Sequence, residues 1–142
     1  MSTETNKAAL HRLYEELFNK RSLAVIDELY AADYVDHSMP PGLPAGPAGV
    51  KLFIGVFFAA FSDTNFTVES IIAEGDMVAA RGTVRATHTG EFQGLPPTGK
   101  QVTVPSLDFV RCNADGKFAE HWGGGDQMSL LMQLGILPPP GR

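Results

Sequence analysis

The first third of the chain repeats apolar positions with the period of a helix. Over residues 7–20 one stripe is apolar: Leu10, Leu13, Tyr14, Leu17 and Phe18. A period of 3.6 residues predicts an amphipathic helix here. Ser22 is predicted to cap a short second helix, whose apolar positions are Leu23, Ile26, Leu29 and Tyr30.

Residues 35–47 are rich in Pro and Gly, which predicts a loop. Its apolar members, Met39 and Leu43, indicate that the loop folds over something. A third helix with a broad aromatic face is predicted from about residue 48 to residue 61.

The second half alternates with the period of a strand. Strands are predicted over residues 66–73, 77–88, 100–112 and 117–124, with turns at 74–76 and 113–116 and a loop at 94–99. Pro105 inside the third of these strands predicts an edge or a bulge. A short helix over residues 127–134 is predicted to end at Gly135, before three prolines.

Helices followed by hairpin strands indicate an α+β domain rather than alternating βαβ units. Twist and a bulge would curl a mostly antiparallel sheet, and the helices would cover its concave side. Such a curled sheet leaves a cavity whose mouth is lined by loops. We expect one domain over residues 1–142, since no repeat or linker interrupts the pattern.

Composition narrows the function classes. The chain has 142 residues, 44% apolar and 19% charged, which is ordinary for a globular protein. With a net charge of −5 and scattered Lys and Arg, we expect no binding to nucleic acid or to anionic membranes. A single cysteine, Cys112, excludes an intrachain disulfide and Cys-based zinc sites, and favours a cytoplasmic location. Neither a signal peptide nor a membrane-spanning run is predicted.

Asp126 is the first candidate for chemistry. It follows His121, Trp122 and three glycines at the end of the last predicted strand. Inside an apolar cavity its pKa would rise toward neutrality, which suits a general acid/base. The alternative is that Asp126 simply caps the last helix. The three glycines have no phosphate-loop spacing, and we expect them to make room beside Asp126.

Other polar residues allow two interpretations each. Asp108 lies mid-strand and faces either solvent or the cavity. Asp36 and His37 open the loop, either as turn residues or as a dyad at the cavity mouth. His88, near a strand end, is expected to be a surface or hydrogen-bonded histidine. No metal site is predicted, because the histidines lack ligand spacing, and no nucleophile elbow or nucleotide motif occurs.

Several stretches together resemble the SnoaL-like polyketide cyclase family, within the nuclear-transport-factor-like superfamily. They are LYEELFNK, YVDHSMPPGLPAGPAGVKLFI, THTGEFQGLPPTGKQV, the pair LDFVR and GK, and EHWGGGDQMSLLMQLG, and they run over nearly the whole chain. The resemblance implies a cone-shaped α+β barrel: a curved, mostly antiparallel sheet covered by three N-terminal helices, with a short C-terminal helix. Residues 123–125 depart from the family pattern, which has larger side chains there.

The resemblance also implies a reaction: ring closure of an aromatic polyketide ester by intramolecular aldol condensation, without metal or organic cofactor. Asp126 matches the family's acid/base. For such a reaction, the candidate supporting catalytic groups are His121 and Asp108, and the candidate substrate-binding residues are His37, His88, Trp122, Tyr14, Phe18, Phe57 and Met39.

Three hypotheses for function stay open. The first is a cofactor-independent cyclase or isomerase acting on an apolar carbonyl-bearing substrate. The second is a non-catalytic protein that binds an apolar small molecule. The third is a carboxylate-dependent epoxide hydrolase, in which Arg85 or Asp108 would lie within hydrogen-bond reach of Asp126. We also expect a homodimer or homotetramer, formed through an apolar outer sheet face that includes Val102, Val104 and Phe109.

Overall fold

The computed structural model describes residues 2–138 and 141. Its elements, in chain order, are α1 (Thr3–Leu13), a π-helical segment (Tyr14–Asn19), α2 (Val25–Leu29), β1 (Tyr30–Asp36), α3 (Pro47–Ala60), β2 (Asn65–Glu74), β3 (Met77–Thr87), β4 (Gln101–Cys112), β5 (Phe118–Gly125) and α4 (Gln127–Leu134). No helix in this described part of the chain is long and apolar enough to cross a membrane.

The five strands form one curved sheet in the order β1-β5-β4-β3-β2. Only the β1–β5 pair is parallel, and the other three pairs are antiparallel. This confirms the α+β class and the mostly antiparallel sheet. The sheet is not closed into a barrel, because β1 and β2 remain its two edges.

The core lies between the inner face of the sheet and the helices. In β3 every second residue is buried, from Val78 to Ala86, as expected for a strand with one covered face. Leu10 and Leu13 of α1 and Leu17 of the π-helical segment are also buried, and they belong to the same apolar cluster. The strand predicted over residues 77–88 is thus confirmed as β3.

The predicted outer face needs a correction at two positions. Val102 and Val104 are 1% and 4% exposed, so they belong to the core and not to the outer face. Phe109, in contrast, is 45% exposed. The reason is register: positions 102 and 104 share their strand face with buried Val110, and Phe109 has the opposite parity.

β1 was not predicted. Residues 30–36 read Tyr-Ala-Ala-Asp-Tyr-Val-Asp, which we assigned partly to a helix and partly to the loop. The helix before it is shorter than expected, and its N-cap is Ala24, which makes no side-chain cap bond, rather than Ser22. Parallel pairing with β5, a contact distant in sequence, makes this segment a strand.

Pro105 lies in β4, a strand in the middle of the sheet. It is opposite Thr83 of β3, without a register shift in that pair. On its other side β5 ends at Gly125, which pairs with Ser106. The pairing of β4 with β5 therefore stops at Ser106, so Pro105 lies at a local edge on that side of β4. An edge was one of the two predicted alternatives.

The three glycines at the end of β5 have a backbone explanation. Gly123 and Gly124 have φ values of +105° and +132°, a region that strongly favours glycine. A Cβ on Gly123 would lie 2.1 Å from the carbonyl oxygen of Leu107. At Gly123 and Gly124, the expectation that these glycines simply widen a cavity is therefore replaced by a requirement for positive φ. Gly123 is also required by the close approach of β4, whereas Gly125 meets neither requirement.

We predict that Gly123→Ala destabilises the fold by about 3 kcal/mol, because the methyl group meets a carbonyl and the φ value is unfavourable. Gly125→Ala is the matched control: its added Cβ would make only an ordinary contact, 3.5 Å from Val104 Cγ1. Urea denaturation of both variants measures the difference in free energy of unfolding. Equal stability of the two variants would contradict this explanation.

Candidate functional site

The candidate site is centred on His121, whose side chain points inward from β5. Its Nδ1 lies 3.0 Å from Asp36 Oδ2, and its Nε2 lies 2.7 Å from Asp108 Oδ1. The register explains the arrangement. Asp36 is directly opposite His121 in the parallel pair, and Asp108 shares its strand face with Val110, the antiparallel partner of His121. We call these three residues the Asp36–His121–Asp108 cluster.

Each carboxylate of the cluster accepts further hydrogen bonds. The Tyr34 hydroxyl donates to Asp36 Oδ2 over 2.6 Å, and the Ser38 backbone N–H donates to Asp36 Oδ1 over 2.9 Å. The Tyr14 hydroxyl donates to Asp108 Oδ2 over 2.7 Å. Ser106 Oγ donates to the same oxygen of Asp108 over a longer 3.4 Å. The carboxylates are thus held by donors from four different parts of the chain.

The protonation of His121 follows from its partners. An ionised carboxylate only accepts hydrogen bonds, so a ring nitrogen facing each Asp must carry a proton. Burial by itself lowers the pKa of His121, but the hydrogen bonds and negative charges of Asp108 and Asp36 outweigh it and raise the pKa to about 9. Near neutral pH the ring is therefore an imidazolium.

The same contacts act on the neighbouring groups. Burial by itself raises the pKa of Asp36, but hydrogen bonds from His121, Tyr34 and Ser38 and the His121 charge hold it below its usual value. Burial raises the pKa values of Tyr14 and Tyr34, and the nearby negative charge raises them further. Both tyrosines are therefore neutral hydroxyl donors at physiological pH.

The cluster is largely buried but still reaches solvent. The side chains of His121, Asp108 and Asp36 are 18%, 13% and 9% exposed. Burial of this degree strengthens their electrostatic interactions. In chemical terms the cluster is a proton donor flanked by two proton acceptors.

Asp126 lies elsewhere. It is exposed, and its Oδ1 accepts a hydrogen bond from the backbone N–H of Ser129, 3.0 Å away, as the N-cap of α4. This matches the capping alternative and not a carboxyl inside an apolar cavity. Asp126 is five residues beyond His121, roughly 16 Å at the rise of an extended chain. Its catalytic role stays a prediction that this position does not favour.

His37 and Trp122, both predicted to bind substrate, lie together but apart from the cluster. Their rings stack with centroids 4.8 Å apart and planes 10° apart. His37 Nε2 is 2.8 Å from Glu120 Oε2, and Glu120 also pairs with Arg111. Trp122 contacts exposed Phe109, which places this group on the outer side of the sheet.

His88 is fully buried, unlike the surface histidine of one expectation. The Thr98 backbone N–H donates to its Nδ1 over 3.2 Å, and Thr98 Oγ1 lies 2.9 Å from the same atom. Its Nε2 has no partner among the described residues. The ring lies against Phe61, with centroids 5.5 Å apart, so His88 is a hydrogen-bonded core histidine outside the cluster.

The remaining predicted substrate-binding residues divide between cluster and core. Tyr14 contacts Asp108 directly. Phe18 is partly buried, and its ring lies 6.2 Å from that of Tyr14. Phe57 and Met39 are partly buried against the core, and Phe57 stacks on Phe61. The structure brings together His121, Asp108 and Tyr14 of the predicted set.

Sequence reasoning missed the roles of Asp36, Tyr34 and Ser106. Asp36 was considered only as a turn residue or as a partner of His37, and neither alternative pairs it with His121. The available signal was alternation: residues 34 and 36 share one face if the segment is a strand. Because β1 was not predicted, that signal went unused.

A metal centre or a cysteine nucleophile does not fit these contacts. An imidazolium with both nitrogens donating has no lone pair for a metal. No group of three or more His, Cys, Asp and Glu in the described ranges is arranged to hold a metal ion. Burial raises the pKa of the Cys112 thiol to about 11, so it stays protonated.

A cavity of about 460 Å³ lies on the outer face of the sheet, on the side of Trp122. Apolar side chains on this face include Ile72, Leu107 and Phe109, which are 67%, 64% and 45% exposed. We call these three residues and Trp122 the outer apolar face. Its side chains point away from the inward-pointing His121, although Asp108 of the cluster also lines the cavity.

Comparison with known proteins gives a consistent picture. Residues 8–134 match the model of a family described as SnoaL-like polyketide cyclase. Among solved structures, AclR of Streptomyces galilaeus, named as a candidate hydroxylase, is 34% identical with a TM-score of 0.86, covering 99% of this chain and 87% of AclR. IdmH of Streptomyces antibioticus, a candidate polyketide cyclase, is 36% identical with a TM-score of 0.78, covering 92% of this chain and 98% of IdmH. No curated protein matches the chain significantly.

We predict that the free energy of unfolding falls by up to about 3 kcal/mol between pH 6.5 and pH 9. The folded state holds the His121 proton more tightly than the unfolded chain, so this stabilisation is complete below pH 6.5 and is lost as pH rises through about 9. Urea denaturation across this pH range measures it.

His121→Gln should remove this fall in stability, while His11→Gln, a change at an exposed helix position, should keep it. A wild-type stability that stays constant from pH 6.5 to pH 9 would show that His121 is not held as the imidazolium.

Proposed function

Since the chain belongs to the SnoaL-like polyketide cyclase family, we propose that it is a cofactor-independent cyclase whose acid/base machinery is the Asp36–His121–Asp108 cluster. The proposed substrate is an apolar, carbonyl-bearing molecule such as a polyketide ester. The proposed reaction is an intramolecular aldol-type ring closure.

One observation carries this proposal: an imidazolium held at 3.0 Å and 2.7 Å by two carboxylates in a largely buried site. Paired groups that exchange protons are the minimum that an enolisation needs. Two charged carboxylates and a charged imidazole are costly to bury, so a purely structural core would be served as well by apolar residues. The arrangement is therefore better suited to chemistry than to stability.

The roles of the residues follow from their positions. Asp108 takes the proton from the carbon alpha to a substrate carbonyl. The neutral Tyr14 hydroxyl, which already points at Asp108, is placed to donate a hydrogen bond to the enolate oxygen. Asp36 holds His121 in orientation through Nδ1, while Nε2 faces Asp108.

The proton balance closes within the site. The enolate carbon forms a bond to a second carbonyl carbon, whose oxygen becomes an alkoxide. That alkoxide takes back the proton that Asp108 removed, so the product has the mass of the substrate. Ring closure also requires that the two reacting carbons be held close together.

The two other hypotheses have less support. Epoxide hydrolysis through Asp126 required Arg85 or Asp108 as its neighbour. Arg85 donates to Thr67 Oγ1, Asp108 contacts His121 and Tyr14, and Asp126 accepts from Ser129. A purely binding protein would not need a protonated histidine between carboxylates. We therefore propose the cyclase over both.

We predict that Asp108→Asn and His121→Gln each slow turnover by about 100-fold or more, because each removes one half of the acid/base pair. The assay uses an aromatic polyketide β-keto ester with a pendant ketone. Alpha-proton exchange in D₂O is followed by NMR above the uncatalysed rate, and product is followed by mass spectrometry. Asp126→Asn serves as the control and should keep near wild-type turnover, since it changes only an exposed helix cap.

The opposite pattern, with activity lost in Asp126→Asn and kept in Asp108→Asn, would return the acid/base role to Asp126. Saturable binding without exchange or conversion would favour the binding protein. The product mass gives an independent control: ring closure leaves it unchanged, whereas hydroxylation, the reaction named for AclR, adds one oxygen atom.

We further propose that two copies of the chain pair through the outer apolar face. The outer apolar face belongs to the outer side of four strands, β2 to β5, each of eight to twelve residues. At about 3.3 Å per residue and 4.8 Å between strands, this side of the sheet has an area of roughly 600–700 Å². That approaches the roughly 800 Å² that each partner contributes to a standard interface. A second copy of the same curved face is the occupant we propose, in a homodimer or as part of a homotetramer.

We predict that Leu107→Glu converts the assembly to monomer, because it places a charge in the centre of the outer apolar face. Met128→Glu, at a similarly exposed position on α4, is the control and should keep the wild-type mass. Light scattering after size-exclusion chromatography at micromolar concentration measures the mass. A monomeric wild-type protein would contradict the pairing.

A further inference from the structure

The Tyr14 hydroxyl reaches Asp108 from an unusual piece of helix. Tyr14 is the first residue of the π-helical segment, in which Lys20 N–H donates to the Glu15 carbonyl five residues back, over 3.0 Å. Such i→i+5 segments are rare and are frequently found at functional sites. This one includes a residue of the candidate site.

The π-turn changes which residues share a face. In an α-helix, residues five apart point about 140° away from each other. An i→i+5 turn has more residues per turn, so it brings residues five apart closer to the same face. Tyr14 and Asn19, the two ends of the π-helical segment, are five apart and contact the same residue, Phe66 of β2.

Both contacts to Phe66 are close. The Tyr14 ring stacks on the Phe66 ring with centroids 4.0 Å apart and planes 4° apart. The Asn19 side chain holds the Phe66 backbone in two directions: Oδ1 accepts from its N–H over 2.6 Å, and Nδ2 donates to its carbonyl over 3.1 Å. Phe66 is thus fixed by the segment that carries Tyr14.

Phe66 also rests on a glycine. A Cβ added to Gly82 would lie 2.3 Å from Phe66 Cε1 and 2.6 Å from Cζ. Gly82 has no positive φ value, so space rather than backbone conformation requires glycine here. Gly82 is opposite Ser106, which lies beside Asp108 in the cluster.

We propose that Gly82, Phe66 and Asn19 form a platform that sets the position of the Tyr14 hydroxyl against Asp108. Asn19 and Gly82 are then positioning residues: they touch no reacting group and act through Tyr14. Because of the π-helical turn, both ends of one short segment contact Phe66. This inference adds positioning residues to the proposed acid/base site and rests on that proposal for its functional meaning.

The test uses the NMR titration of the His121 imidazole, which needs no substrate. The groups facing this ring or its carboxylate partners are Asp36 and Tyr34 of β1, Asp108 and Ser106 of β4, and Tyr14 of the π-helical segment. Tyr14→Phe removes one donor from Asp108, which makes that carboxylate more basic. We expect it to raise the pKa of His121 by roughly one pH unit.

Asn19→Ala and Gly82→Ala should each raise the pKa of His121 in the same direction, by a fraction of the Tyr14→Phe effect. Combined with Tyr14→Phe, neither should add a further shift, because their effect passes through the lost hydroxyl. Gly125→Ala is the matched control: Gly125 flanks Ser106 from the other side, and its added methyl group would not meet Phe66. It should leave the titration unchanged.

A Tyr14→Phe variant that shifts the titration while Asn19→Ala and Gly82→Ala do not would overturn the platform. So would additive shifts in the double variants, which would indicate a general loosening of the core. If Gly82→Ala does not fold, Asn19→Ala alone decides. The turnover assay is a separate test. Active-site variants that keep full turnover would refute the proposed function, but they would not contradict the positioning of Tyr14 that the titration tests.

Discussion

The structure depends on one interaction, the imidazolium of His121 held between the carboxylates of Asp36 and Asp108. Burying three charged groups carries a large desolvation cost, which close geometry and further hydrogen bonds must offset. The contacts also cross three adjacent strands, since β5 lies between β1 and β4. Any shift of one strand against another would therefore leave a charge in the protein interior without its partner.

Several features of the backbone meet this constraint. The parallel β1–β5 pair sets Asp36 directly opposite His121. Ser38 connects the same two strands: its N–H donates to Asp36, and its Oγ accepts a hydrogen bond from the Gly123 N–H over 2.7 Å. The positive φ of Gly123 allows that bond at the end of β5. The glycine run, which we expected to make room beside Asp126, thus helps to hold the loop that fixes Asp36.

Local pattern predicted the local parts of the fold well. The bounds of α4, its end at Gly135 and the position of β3 follow from neighbouring residues, and the structure confirms them. β1 and the π-helical segment were missed because both depend on contacts distant in sequence: β5 pairs with β1, and Phe66 lies against the π-turn. Asp126 received the acid/base role from resemblance, while its capping geometry was an equally local signal. The site itself, built by register across three strands, could not be read from one segment.

The charge balance of the cluster connects its stability to its chemistry. Two carboxylates and one imidazolium leave one net negative charge in a largely buried space. Tyr14, Tyr34, Ser38 and Ser106 provide neutral donors, which spread that charge without cancelling it. For Asp36, these hydrogen bonds and the His121 charge outweigh the cost of burial and hold its pKa below the usual value. In the reaction that we propose, a carbon acid gives its proton to Asp108, and the contacts of Asp108 with His121 and Tyr14 keep this carboxylate in place to return the proton. The same contacts that offset the cost of burying the cluster thus position the proposed base.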